Sequence, residues 1–257
     1  MSVYLKQFTE TANAGDVASR LVVAHILNVE PRIIGESACS VPNLIGIGSI
    51  LAWADRNSVV WGTGIIVPKA VPREPPRAVL AVRGKLTREV LEGKGIACPP
   101  VYGDPGVFVP DLIQCSPKTE TLGIVPHYAD VNCAFVGRAR ASGIAIIDPT
   151  KPLDEFIYKL TSCERIISSS LHGLVFAHAY GIPAAWVAMS KNVIGNGFKF
   201  RDYYSSIDIA TRNIPSFHAR DRLSTIVEHC SLPAKSIDKG TLRDTLLAHR
   251  TLFEAQE

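Results

Sequence analysis

The stretch IISSSLHGLVFAHAYGIPAAWVA, residues 166–188, says most about the fold. An apolar run that ends at Ile167 is followed by three serines and then by apolar residues at helical spacing. Gly181 stands where a C-cap glycine ends a helix, and Pro183 opens a second apolar run. The pattern is that of a strand, a helix and a second strand. Such units build parallel sheets with right-handed crossovers.

His172 falls in the first turn of this predicted helix, just beyond the carboxyl end of a strand. Open α/β sheets bind ligands at such strand ends. The N-terminus of a helix favours anions through its free amides and its dipole. We therefore predict a phosphate or carboxylate site with a titratable group beside it.

The composition is that of an ordinary globular protein. The 257 residues suffice for one large α/β domain or two small ones. The hydrophobic fraction is 47% and the charged fraction is 20%, both typical of soluble domains. The net charge of +3 is small and evenly spread, so it gives no support for nucleic-acid binding.

The six cysteines are scattered without a CxxC pair. This spacing gives neither a zinc signature nor a disulfide framework, and it predicts mostly buried free thiols in a reducing compartment. The first ten residues lack the layout of a signal peptide, and no apolar run is long enough to span a membrane. We therefore expect a cytoplasmic protein.

The rest of the chain continues the alternation of apolar runs, glycine turns and amphipathic stretches. The predicted elements are a strand at 3–8, a helix at 16–27, apolar runs at 44–50, 59–61, 65–67 and 79–82, a helix at 86–91, strands at 122–128 and 144–148, and a helix at 153–161. A boundary near 114–121 divides the chain into ranges 1–115 and 116–257. We predict two Rossmann-like α/β halves that face a cleft, with a helical tail from Lys239 that packs back across them.

Six short motifs occur in order along the chain. They are N-x-G-D at 13–16, G-x-G-S at 46–49, W-G-T-G at 61–64, V-R-G-x-L-T-R at 82–88, Y-G-D-P at 102–105 and S-S-L-H-G at 169–173. Each motif is weak alone. Together, from about Asn13 to Tyr204, they resemble the polysaccharide pyruvyl transferase family.

This resemblance implies a two-domain fold similar to GT-B glycosyltransferases. Range 1–115 would lie on the acceptor side and form part of the donor site, and range 116–257 would carry the donor motif. It also implies an enzyme that moves the pyruvyl group of phosphoenolpyruvate onto a sugar of an exopolysaccharide or cell-surface glycan precursor, forming a ketal and releasing phosphate. The resemblance implies no cofactor or metal. It is compatible with a lipid-linked acceptor and with a protein that is peripheral to the inner membrane. The run FKFRDYY at 198–204 is most similar to the exopolysaccharide branch.

The resemblance also assigns individual positions. Arg83 matches an arginine that contacts phosphoenolpyruvate, and His172 matches the histidine of an arginine-leucine-histidine motif, with Leu171 beside it. Ser170 departs from the family pattern, because it stands at the arginine position. Three cations are candidates to replace the missing guanidinium: Arg165, Lys199 and Arg201.

The residue types suit the chemistry. Histidine titrates near neutral pH, so His172 can donate a proton or assist the phosphate. Asp16 can accept a proton from an attacking hydroxyl, or it can simply be a helix N-cap. Further predicted substrate-binding positions are Asn13, Gly15, Gly48, Ser49, Gly62, Thr63, Gly64, Ser170 and His127.

For several positions a structural role competes with a functional one. The glycines can serve only to permit tight turns. His127 is as well suited to a turn as to a ligand. Tyr203 and Tyr204 can stack on a sugar ring or fill a core, and His178 is expected to be a packed histidine.

Two rival functions remain. A nucleotide-sugar glycosyltransferase would use the same kind of two-domain cleft and would bind a sugar nucleotide in the C-terminal half. A catalytically degenerate glycan-binding protein would bind ligand without turnover. The sequence shows no His or carboxylate cluster at metal-ligand spacing.

Overall fold

The computed structural model describes residues 2–11, 13–209, 214 and 217–255, and it consists of two mainly parallel sheets with helices packed against them. Five strands of the first sheet come from the first half of the chain: β1 Ser2–Lys6, β2 Arg32–Ile34, β3 Asn43–Ile45, β4 Ser58–Trp61 and β5 Ala78–Ala81. The helices of this half are α1 Ala14–Leu27 and α2 Lys85–Glu92. Strands β3 and β4 are short and fully buried, as expected for strands covered on both faces.

The second sheet has the strand order β10–β9–β8–β6–β7, and every pair in it is parallel. Its strands are β6 Gly123–Val125, β7 Ala145–Ile146, β8 Ile166–Ser168, β9 Ala184–Ala188 and β10 Phe217–His218. The helices that follow α2 are α3 Ala134–Ala141, α4 Leu153–Thr161, α5 Leu171–Ala179, α6 Phe198–Ser206, α7 Leu223–Glu228 and α8 Lys239–Ala248. The predicted unit at 166–188 is confirmed as β8–α5–β9.

Both sheets reverse their strand order at one place. In the first sheet β1 lies between β2 and β3, and in the second sheet β6 lies between β7 and β8. Connections leave in opposite directions at such a point, which opens a crevice at the carboxyl ends of the strands. The residues after β1, β3, β6 and β8 therefore meet in crevices, and these include the G-x-G-S and S-S-L-H-G motifs.

The chain returns to the first sheet after completing the second. Strand β11, Glu254–Ala255, pairs antiparallel with β1, and α8 packs against α1 and β5. The indole Nε1 of Trp61 donates to the carbonyl of Leu242 at 2.8 Å. The tail that was expected to pack back across the two halves thus consists of a helix and a short strand. The division of the chain at residue 115 stays a prediction.

The apolar run at 65–67 forms no strand. Gly62 has a φ of +86°, which turns the chain out of the sheet after β4. The amide of Ile65 then donates to Thr87 Oγ1 and its carbonyl accepts from Arg83 Nη2. Because side chains satisfy this backbone, it needs no neighbouring strand.

Two other expectations can be compared with the structure. All six cysteines are free thiols, but only Cys98 and Cys163 are buried, so the prediction of mostly buried thiols was wrong. Within the described ranges, no helix is long and apolar enough to cross a bilayer.

Candidate functional site

A cleft of about 330 Å³ lies where the two crevices meet, and both halves of the chain line it. It brings together ten of the predicted site residues: Asn13, Gly15, Asp16, Gly48, Ser49, His127, Ser170, Leu171, His172 and Lys199. These residues come from the start of α1, from the turns after β3 and β6, from the start of α5 and from α6. Their convergence follows from the strand order, since the elements that carry them begin or end at switch points.

Asp16 lies in the first turn of α1 and is not its N-cap. Asn13 is the N-cap, and its Oδ1 accepts from the amide of Asp16 at 3.2 Å. The Asn13 side chain also donates to Asp16 Oδ2. Burial raises the pKa of Asp16 to about 6, while nearby His172 and the Asn13 hydrogen bond act in the opposite direction. Asp16 is thereby suited to exchange a proton near neutral pH.

His172 lies in the first turn of α5, directly against Gly15. A Cβ atom added to Gly15 would stand 1.9 Å from His172 Nδ1. The imidazole stacks on Phe176, with the ring centroids 5.6 Å apart, and the side chain is 14% exposed. The N-cap Ser170 makes no side-chain capping bond, so the first amides of α5 are left to a ligand.

Asp104 faces the buried edge of His172. Asp104 was not among the site residues predicted from the sequence. Its Oδ2 lies 3.7 Å from His172 Nε2, and both atoms are buried without a hydrogen-bond partner. Asp104 Oδ1 accepts from the amide of Gly106 at 2.9 Å, which orients the carboxyl. An acidic group on this side favours a proton on Nε2, while Nδ1 lies toward Gly15 at the start of α1. The Y-G-D-P motif contained the signal, but its aspartate was not assigned a role of its own.

Arg83 is placed beneath the cleft and does not line it. The guanidinium is fully buried and pairs with Asp202 at 2.9 Å. Nη1 donates to Ser49 Oγ at 2.7 Å and to the carbonyl of Gly48 at 3.3 Å. The predicted contact with phosphoenolpyruvate therefore has no support in this geometry, because the guanidinium is occupied in holding the Gly48–Ser49 turn.

The W-G-T-G residues also support the cleft from behind. A Cβ on Gly62 would stand 2.4 Å from Pro105, and one on Gly64 would stand 2.4 Å from the guanidinium of Arg83. Thr63 is buried, and its hydroxyl donates to the carbonyl of Gly48 at 3.0 Å. Gly62, Thr63 and Gly64 thus allow close packing around Arg83 and do not line the cleft.

Lys199 is a buried cation at the cleft wall. It lies in the first turn of α6, is 7% exposed, and makes no salt bridge with any carboxylate of the described part of the chain. Burial and the neighbouring Arg83 charge lower the pKa of its amine to about 8, and Asp130 acts in the opposite direction. A bound anion would supply the missing counter-charge.

The other two candidate cations lie elsewhere. Arg201 donates to the carbonyl of Asn196 at 2.9 Å and lines a neighbouring groove. Arg165 is exposed on the loop before β8. Of the three cations considered for the Ser170 departure, Lys199 is the one that reaches the cleft.

His127 has both of the roles that were weighed for it. It lines the cleft, and its Nδ1 accepts from the amide of Ala129 at 3.2 Å, which caps a 3₁₀ turn at Tyr128–Asp130. Burial, with the Lys199 and His172 charges, lowers the pKa of His127 to about 3, so the ring is neutral. The backbone amide of His127 donates to Ser169 Oγ at 2.9 Å, which joins the ends of β6 and β8.

One wall of the cleft is aromatic, and the sequence analysis did not identify it. Phe8, Trp53 and Tyr128 contribute to this wall, which we call the aromatic wall. The Phe8 and Trp53 rings lie 6.3 Å apart, and Tyr128 is 40% exposed. These residues lie in three separate segments of the chain, and no sequence motif links them.

The remaining aromatic candidates belong to the core. Tyr203 and Tyr204 are buried, so they do not stack on a ligand. His178 Nδ1 is 3.0 Å from the hydroxyl of Tyr203, which confirms a packed histidine. In the portion of the chain that the structure describes, no three His, Cys, Asp or Glu side chains are grouped so that they could hold a metal ion.

Comparison with known proteins agrees with the motifs. A family model described as polysaccharide pyruvyl transferase matches residues 73–191. The chain is 30% identical over 221 residues to uncharacterized protein L143 of Acanthamoeba polyphaga mimivirus, covering 80% of this chain and 75% of that protein. It is 29% identical over 180 residues to succinoglycan biosynthesis protein ExoV of Rhizobium meliloti (strain 1021). This second match covers 66% of the chain and 55% of ExoV.

Proposed function

Because this chain belongs to the polysaccharide pyruvyl transferase family, we propose that it transfers the pyruvyl group of phosphoenolpyruvate to a sugar of an exopolysaccharide precursor in the cytoplasm. The observation that carries the proposal is the contact between the start of α1 and His172, at a cleft that also holds the buried cation Lys199. Two parallel sheets whose switch points adjoin one cleft support a GT-B-like arrangement.

The donor needs a site for two anionic groups, a phosphate and a carboxylate. The free amides at the start of α5 and the hydroxyls of Ser49 and Ser170 can donate hydrogen bonds to one of them. Lys199 provides a positive charge at the same wall. The donor therefore lies in this polar part of the cleft, in contact with His172.

The reaction then moves two protons: two leave the sugar hydroxyls, one is added to the methylene carbon and one departs with the phosphate. A proton added to the methylene carbon of phosphoenolpyruvate makes the methyl group and leaves C2 electron-poor. One sugar hydroxyl attacks C2 and loses its proton. The C2–O bond to phosphate breaks, the phosphate leaves with one proton, and a second hydroxyl closes the ketal as it loses its own.

His172 and Asp16 can perform these transfers as a pair. His172 and Gly15 line the cleft, and the imidazole Nδ1 lies against Gly15. When both ring nitrogens carry protons, the imidazole can deliver one to the methylene carbon. Asp16, with its pKa raised to about 6 by burial, is ionised at neutral pH and can accept a proton from the attacking hydroxyl. Asp104 acts through His172, because its buried carboxyl 3.7 Å from Nε2 favours a positive charge on the ring.

The direct test incubates the protein with phosphoenolpyruvate and an exopolysaccharide repeat-unit acceptor. We expect phosphate release together with a new ketal methyl singlet in the proton NMR spectrum. Transfer of a sugar from a sugar nucleotide, without use of phosphoenolpyruvate, would replace the proposal by a glycosyltransferase. Binding of phosphoenolpyruvate without turnover of any acceptor would indicate a degenerate binding protein.

Lys199→Gln should weaken phosphoenolpyruvate binding by about ten- to a hundredfold, because a charge-assisted hydrogen bond contributes about 1.5–3 kcal/mol. Calorimetry at pH 7 measures this change. Wild-type binding should also weaken as the pH rises through about 8, since the pKa of Lys199 is lowered to that value and its charge is lost above it. Arg201→Gln, outside the cleft, is the control. Equal affinities of Lys199→Gln and wild type would remove Lys199 from the donor site.

Gly15→Ala should lower kcat by about tenfold or more while leaving the protein folded, because the added methyl group displaces the imidazole from its position for proton transfer. The clash is with His172 Nδ1, at 1.9 Å. Gly137→Ala in α3 is the matched control, since a Cβ there meets nothing within 4 Å. Steady-state rates and thermal unfolding of both variants check the prediction. A fully active Gly15→Ala would show that the His172 position is not critical.

A further inference from the structure

We propose that the aromatic wall, formed by Phe8, Trp53 and Tyr128, is the binding platform for a pyranose ring of the acceptor. The inference rests on the proposed function, because it treats the cleft as the place where a sugar meets the donor. It adds the location of the sugar and the residues that hold it.

The chemistry of the aromatic wall matches that of a pyranose ring. A pyranose ring has faces made of C–H groups and a rim of hydroxyls. An aromatic ring carries negative charge density on its face, so it attracts C–H groups and tolerates water at its edge. Tyr128, which is 40% exposed, and the half-buried Phe8 and Trp53 all line the cleft with such rings. The anionic donor gains nothing from this wall.

Trp53, the indole of the aromatic wall, is held on a rigid support. Trp53 ends a 3₁₀ turn, and its carbonyl accepts from Lys6 Nζ at 2.7 Å. Lys6 is fully buried and pairs with Asp55 at 2.6 Å. A buried ion pair directly behind a half-buried indole fixes the backbone that carries it, so the platform is preorganised.

The charged groups around the cleft also favour this location. Burial raises the pKa of Tyr128, and the charges of Asp16 and Glu10 raise it further, so the phenol lies near the carboxyl of Asp16. Lys199 instead lies within the electrostatic reach of Arg83 and Asp130. The cleft therefore has a cationic part and an aromatic part, and His172 with Asp16 lies between the two sets of groups. A sugar on the aromatic wall directs its hydroxyls toward Asp16.

The experiment measures sugar binding in the absence of phosphoenolpyruvate. Methyl β-D-glucopyranoside and methyl β-D-galactopyranoside are titrated and followed by saturation-transfer NMR and by tryptophan fluorescence. Trp53→Ala should weaken binding by about tenfold, and Trp53→Phe should restore most of it. Tyr128→Ala is the second variant, because an exposed ring can be removed without disturbing the fold. Tyr158→Ala is the matched control, since Tyr158 is 63% exposed and does not line the cleft.

The outcomes separate this inference from the proposed function. Unchanged binding in Trp53→Ala and Tyr128→Ala, or no saturable binding of either glycoside by wild type, overturns the inference alone. Sugar binding that depends on Trp53, in a protein that neither binds nor consumes phosphoenolpyruvate, overturns the proposed function and leaves the sugar platform standing. In the active enzyme, the expected result is a raised acceptor KM in Trp53→Ala with the phosphoenolpyruvate KM unchanged.

Discussion

His172→Gln should lower kcat by about 10²–10⁴-fold, the range typical of a lost general acid. Glutamine is close to histidine in size and polarity, but it cannot deliver a proton near neutral pH. In the wild type, the contacts of His172 with Gly15 and Phe176 fix the orientation of the imidazole at the cleft. The phosphoenolpyruvate KM should change little, because Lys199 and the α5 amides provide the anion site.

Phosphate release and the NMR ketal signal measure this effect at saturating donor. His249→Gln is the control, because His249 is exposed at the end of α8, where its Nδ1 lies 2.9 Å from the carbonyl of Thr245 in the same helix. A His172→Gln enzyme with wild-type kcat would exclude the imidazole as proton donor. A large rise in the phosphoenolpyruvate KM at unchanged kcat would make it a binding residue.

Arg83→Ala should destabilise the protein by about 3–5 kcal/mol, because it leaves the carboxylate of Asp202 buried without its cation. Asp202 accepts from Arg83 Nε at 2.9 Å, from the amide of Thr87 at 2.8 Å and from Thr87 Oγ1 at 2.6 Å. Both side chains of the pair are fully buried. The loss reaches the cleft as well, since Arg83 also holds Ser49 and Asp202 anchors the helix that carries Lys199.

Denaturant unfolding measures this loss, and Arg56→Ala provides the comparison. Arg56 pairs with Glu74 at 3.1 Å, but it is 76% exposed, so its loss should cost about 1 kcal/mol or less. If Arg83→Ala instead kept full stability and lost only phosphoenolpyruvate affinity, the direct donor contact expected from the motif would be restored.

The sequence predicted the second sheet well because its signals are local. The unit at 166–188 has a strand, a helix and a strand in consecutive order, and each boundary is marked by serine, glycine or proline. His172 was placed correctly at the start of α5 for the same reason. The residues of the cleft from α1, β3 and β6 followed from motifs that each end a strand or begin a helix.

Asp104, Trp53 and the role of Arg83 could not be predicted, because they depend on contacts between distant segments. Asp104 meets His172 only after the segment Pro105–Asp111 packs between α1 and α5. Arg83 pairs with a carboxylate 119 positions away, and no spacing rule connects the two. A cation after an apolar strand looks the same in sequence whether it faces a ligand or a buried partner.

The pairing of β11 with β1 has a consequence for synthesis on the ribosome. The outer edge of β1 at residues 2 and 3 gains its antiparallel partner only when residues 254 and 255 emerge. Likewise, the indole of Trp61 gains the Leu242 carbonyl that it binds only when residue 242 emerges. The second sheet, whose strands all lie between residues 123 and 218, can form before the first is finished. The half that is translated first is therefore the half that matures last.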